Sequence, residues 1–181
     1  MQMRAEVQIR SMIKALSEVV LPAVDAGNQL AQEQTRLTIG MLNLMAQQLP
    51  LQFRFDCDEL ARLLEFSRQL CEQTQGGPGC EAARAELAQG SEHAAEVLQR
   101  AAAGPSQVEQ AVRELRRLSG VLIGVCSSAM NLEGQDRVAR LVLAMSKAQL
   151  LRDRAWLLPQ GWEPDPQALP PITELLRDTK P

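Results

Sequence analysis

The sequence predicts an all-α protein, a bundle of about six amphipathic helices followed by a proline-rich tail. Three observations carry the prediction. Leucine, alanine, glutamine and arginine fill nearly half of the chain, and all four lose little side-chain freedom in a helix. Tyrosine is absent, aromatics make up 3% of residues, and β-branched residues rarely alternate with polar ones, so the strand signature is missing. Apolar residues instead recur three, four and seven apart between proline and glycine breakers. At 181 residues the chain is long enough to bury a core.

The first helix is expected over residues 2–21, with Val7, Ile9, Ile13, Leu16 and Val20 as its apolar stripe. Pro22 removes an amide donor and either kinks one long helix or separates two; the breaker signals of Asp25-Ala26-Gly27-Asn28 favour separation, with a second helix to about Leu49. It carries Leu30, Leu37, Met41, Leu44 and Met45, read as core filling or as the wall of an adaptable pocket. Pro50 ends it, and Leu51–Phe55 reads as an extended link. Asp56, with Glu59 three residues on, reads as the cap of a third helix bearing Leu60, Leu63, Leu64, Phe66 and Leu70.

Gly76-Gly77-Pro78-Gly79 is the clearest loop, and a fourth helix is expected over residues 80–103. Gly104-Pro105 stops it, and Ser106 with Glu109 forms a second S-x-x-E box opening a fifth helix over residues 107–130. Gly120, Gly124 and Ser128 fall four apart on that helix, a small-residue face that would let another helix approach closely or form a ligand slot. A sixth helix is expected over residues 132–158. Trp156 and Trp162 then bracket a segment they should clamp onto the bundle or onto a second subunit, and Pro171 starts a short last helix through Arg177. The domain reading is a bundle over residues 1–158 and a tail over 159–181. Arg36-Leu37-Thr38 echoes Arg117-Leu118-Ser119, and Ala61–Leu64 echoes Ala139–Val142, in the order a duplicated three-helix unit would give.

Charge and motifs narrow the function classes. A formal charge of −3 and a pI of about 5.3 give no basic face for nucleic acid, and the densest basic cluster, Arg113, Arg116 and Arg117, sits beside Glu109 and Glu114. The start lacks the layout of a signal peptide, and the stretch 118–132 is too short and too rich in serine to span a bilayer. Cys57, Cys71, Cys80 and Cys126 share no CxxC spacing and are read as reduced thiols of a cytoplasmic protein. The preference for arginine over lysine and the scarcity of isoleucine, asparagine and phenylalanine suit a bacterium with GC-rich codons.

His93 is the single histidine, which removes di-iron, HExxH and zinc arrangements, so neither metal nor cofactor is expected. Asp56-Cys57-Asp58-Glu59 lacks the glycine and closing glutamate of a calcium loop, and Gly76–Gly79 lacks the lysine and strand of a phosphate cradle. A catalytic His93 would need a thiol and a carboxylate beside it.

The segment 16–49, with Val19-Val20-Leu21-Pro22-Ala23-Val24 followed by a helix holding Gln34, Arg36 and Asn43, resembles the start of certain bacterial helical proteins. Those are often encoded near phosphotransferase-like and acyl-CoA-dehydrogenase-like enzymes, which implies an accessory role beside a metabolic enzyme. The leading expectation is a non-enzymatic protein acting through a homodimer or another protein partner. The alternative is an apolar or acyl-like small molecule held beside Gly120, Gly124, Ser128, Met41 and Met45.

Overall fold

A computed structural model describes residues 4–100 and 103–176 as helices and connecting turns, with no strand among them. Seven α-helices follow one another. Helix α1 runs over Ala5–Ala15, widens into a π-turn at Leu16–Val20 and resumes over Leu21–Ala23. Then come α2 (Gln29–Gln48), α3 (Gln52–Gln73), α4 (Pro78–Gln99), α5 (Pro105–Ser127), α6 (Leu132–Leu157) and, after two 3-10 turns, α7 (Ile172–Leu175). Two compact units result. One comprises Met1–Gln52 and Arg152–Ile172, the other Phe53–Leu151 and Thr173–Pro181. The tail is thus divided, its stretch up to Ile172 grouping with the first two helices and the part from Thr173 with the second unit.

In the first unit, Pro22 does not end α1. Proline cannot donate to the carbonyl four residues back, and its ring crowds that carbonyl. The helix responds by widening just before it, so that the Leu21 N–H donates to the Leu16 carbonyl five residues back. The break comes at Val24, whose backbone is extended. Asp25 then accepts from the Gly27 N–H at 2.8 Å, and Asn28 caps α2 by accepting from the Ala31 N–H at 3.1 Å. The breaker cluster, not the proline, separates the helices.

The second unit holds the core. Leu60, Leu63, Phe66 and Leu70 of α3 meet Ala83, Leu87, Ala94 and Val97 of α4 and the stripe Val108–Leu115–Leu122 of α5, with Val138 of α6 closing it. The starts of α3 and α5 differ from expectation in their local chemistry. Leu51–Phe55 is not extended, because α3 begins at Gln52 and buries Phe55. Asp56 therefore lies inside the helix and is no cap, while its neighbours are consumed in pairing: buried Asp58 accepts from Arg62 at 2.8 Å and buried Glu59 pairs with Arg116 of α5. Arg62 also donates to the Leu175 carbonyl at 2.7 Å, which ties α7 to α3. At α5 the opening box is made by Gln107, whose side chain accepts from the Gly104 N–H at 3.0 Å, while Glu109 pairs with Arg113. Arg177, expected in the last helix, lies outside the described residues.

The close helix approach expected at the small-residue face is not made there. Gly120 and Gly124 are exposed, and a Cβ built on either meets nothing within 4 Å among the described residues; Ser128 is exposed too. The close approach is made instead at Gly90 of α4, where a Cβ would stand 2.5 Å from Leu118 Cδ1 of α5. The paired positions of the internal echo also differ in environment, since Leu37 is exposed and Leu118 buried.

The cysteine reading is corrected as well. Cys80 at the start of α4 and Cys126 at the end of α5 form a disulfide, both almost wholly buried. Cys57 and Cys71 are free and half-buried.

Gly90→Leu should destabilise the protein by about 1–3 kcal/mol through overpacking against Leu118, whereas Gly124→Leu should stay within about 0.5 kcal/mol of the parent. Urea melts of both variants check the order. Non-reducing peptide mapping should recover a Cys80–Cys126 link, and its reduction should lower stability by about 2–4 kcal/mol in the same melts.

Candidate functional site

A helical hairpin has one internal seam, and the first unit shows what remains outside it. Ile9, Ile13 and Leu16 of α1 are half-buried at helical spacing, as are Ala31, Thr35, Ile39 and Leu42 of α2, and the two helices pack on one another. No residue of α1 is fully buried, and α2 buries only Leu44. The apolar residues assigned to the α2 core stripe largely stand on its other side. Leu30 is 68% exposed, and Leu37, Met41, Met45 and Leu49 follow at spacings of seven and four along one exposed band. On α1, Val7, Met12, Val19 and Val20 are likewise exposed.

The tail adds to this band. Gln48 donates to the Trp156 carbonyl at 3.1 Å, and Arg154 grips Glu163 through two hydrogen bonds of 3.0 and 2.6 Å. Between them Gly161 takes the left-handed conformation (φ 75°) that closes the 3-10 turn Leu158–Gln160, which favours glycine. The segment then forms one wall of a groove of about 690 Å³ with Leu37, Gly40, Met41 and Asn43 of α2 and Pro159 and Trp162 of the tail. A Cβ on Gly40 meets nothing within 4 Å, so the floor is open. Trp162 lines this groove but is 72% exposed, so its ring is not buried against its own bundle. Half-buried Trp156 and the Arg154–Glu163 pair hold the tail instead.

Of the five residues expected to share a groove, Met41 lines this one and Met45 stands on the same exposed band, while Gly120, Gly124 and Ser128 belong to the other unit. Val121 and Val125 are exposed on α5 in that unit. His93 is exposed on α4 and lines a small cleft with Glu86, Glu114 and Arg117; no cysteine is among its lining residues. Arg113 and Arg117 pair with Glu109 and Glu114 at 2.5 and 2.6 Å, and Arg116 with Glu59, so the basic cluster is a set of paired side chains. Among the described residues no group of histidine, cysteine and carboxylate side chains is placed to hold a metal ion, and no helix is long and apolar enough to cross a membrane.

The Arg154 hydrogen bonds hold the Glu163 carboxyl below the usual carboxylate range. Its contribution to tail docking is therefore complete above the ordinary glutamate value, near ~4.3, and is lost as pH falls through the depressed value. Trp156 and Trp162 are the two tryptophans of the chain. Tryptophan emission should accordingly shift to the red on acidification below that range, and Glu163→Gln should show the shifted spectrum at neutral pH. Comparison with known proteins gave no matching family model, no matching curated protein and no matching solved structure.

Proposed function

We propose that the protein acts through self-association, two copies joining by the exposed apolar band of α1 and α2, and that it is not an enzyme. The observation that carries this reading is the unburied apolar side chains on both helices of a hairpin that has almost no buried residue of its own. A hairpin consumes one stripe per helix, and a second stripe is stabilised only by a further layer. Another hairpin of the same kind supplies that layer, giving a four-helix arrangement about a two-fold axis. The dimensions fit. Two helices of this length, each roughly 30 Å long and 10 Å wide, offer a face of about 600 Å², close to the ~800 Å² per partner of a stable interface.

An accessory role beside a metabolic enzyme, with the dimer as the acting form, remains part of this proposal, and so does a cytoplasmic setting in a bacterium. The free thiols of Cys57 and Cys71 support that setting, whereas disulfides such as Cys80–Cys126 persist chiefly in oxidising compartments. A second reading, an acyl-like ligand on the α2 side of the first unit, is favoured by the groove over Gly40 and Met41, whose volume lies within the range of ligand sites.

Light scattering at tens of micromolar should give twice the chain mass. Leu30→Glu combined with Met41→Glu should return it to the monomer with its helical circular dichroism intact, since both side chains are exposed. A wild-type mass that stays monomeric overturns the proposal.

A further inference from the structure

Hydroxyls inside a helix have a ready partner in the carbonyl one turn back. Ser11, Thr35, Thr38, Thr74 and Ser91 all use it, at 2.7–2.9 Å. Ser67 does not. It lies in α3 with no exposed surface, and its Oγ has no hydrogen-bond partner. Ser119 of α5 is buried without a partner as well, so what singles out Ser67 is the cleft beside it and a second orphan on that cleft's far wall.

Ser67 lines a cleft of about 320 Å³ between α3 and α4. On the α4 side stands Arg84, whose buried Nε–H is also without a partner. No carboxylate pairs with its guanidinium among the described residues, in contrast to Arg62, Arg68, Arg113 and Arg117. The other polar groups of the cleft are occupied: Arg68 binds Glu72 at 2.6 Å, and Ser91 binds the Leu87 carbonyl. Leu64, Cys71 and Ala88 supply apolar wall. The Cys71 Sγ lies 4.0 Å from the Arg84 carbonyl, and burial pushes its thiol up from the ordinary value, so at neutral pH it is a protonated, weakly polar surface and no nucleophile.

Arginine can only donate, and a serine hydroxyl can donate beside it, so the missing group is an acceptor, and an unpaired guanidinium calls for a negative one. The apolar wall and the nearby Glu72 disfavour a small, doubly charged ion. We propose that this cleft binds a small aliphatic carboxylate, its oxygens accepting from Arg84 Nε and Ser67 Oγ while the hydrocarbon lies against Leu64, Cys71 and Ala88. This site is separate from the apolar band of the first unit and stands or falls independently of the dimer.

The test is a titration of the isotope-labelled full chain with hexanoate, and in parallel with inorganic phosphate, followed by NMR at the Arg84 Nε–H and at the Ser67 and Ala88 amides. Saturable shifts confined to these groups are expected with hexanoate and not with phosphate. Arg84→Gln should weaken hexanoate roughly tenfold or more and Ser67→Ala several-fold, while Arg113→Gln, on an exposed paired arginine, should leave it unchanged. Both variants keep the apolar core, and their circular dichroism reports whether they fold. Shifts that never saturate, phosphate binding in place of hexanoate, or an Arg84→Gln variant that binds as well as the parent would each overturn the proposal.

Discussion

The seating of α4 on α5 is the constraint on which the second unit depends. At Gly90 the backbone of α4 lies so close to the Leu118 side chain that any added Cβ would push it aside, and the Cys80–Cys126 bond joins the start of α4 to the end of α5. With those points held, Leu87 and Val97 reach the fully buried stripe of α5, and α3 closes over both with Leu60 and Leu70. The polar ties follow from the same seating. Glu59 can be buried because Arg116 stands opposite it on α5, and Asp58 because Arg62 completes it and passes the contact on to the last helix. A buried charge is tolerable only when paired in this manner.

The two units stand in contrast as uses of the same composition. In the second, the main stripes of α3, α4 and α5 are consumed by neighbours, while Val121, Val125, Leu143 and Leu150 stay exposed outside that core. In the first, the large side chains fall on two faces of two helices, and one face is left over. Alanine- and leucine-rich helices do not differ in propensity between these cases. What differs is the angular spread of the large side chains, and that decides whether a helix finishes its packing within its own chain.

This also explains what was legible. The all-α class, the number of helices and most of their boundaries could be read, because proline and glycine punctuate the chain and periodicity does the rest. Core positions on α3 were legible too, since Leu60, Leu63, Phe66 and Leu70 keep strict helical spacing. Three things were not. The face formed by Gly120 and Gly124 has the spacing of a close approach, but spacing cannot say whether a neighbour arrives there; the solitary Gly90 carries no motif, and its role exists only in the contact with Leu118. The disulfide joins cysteines 46 positions apart, a distance that only the fold brings together. The Arg84–Ser67 cleft left no trace, because an unpartnered hydroxyl is invisible until its surroundings are known.

The π-turn at Leu16–Val20 has the form of one residue added to a finished helix. Each residue turns an α-helix by about 100°, so the side chains beyond the wide turn are set out of phase with those before it. The stripe begun by Ile9, Ile13 and Leu16 therefore fails to continue at Val20, which emerges 41% exposed beside Val19. Removing a single residue from this segment would close the turn and restore the phase, at the expense of crowding Pro22 against the preceding carbonyls. The segment is a place where change in length by one can rotate an outward-facing surface without altering a single side chain on it.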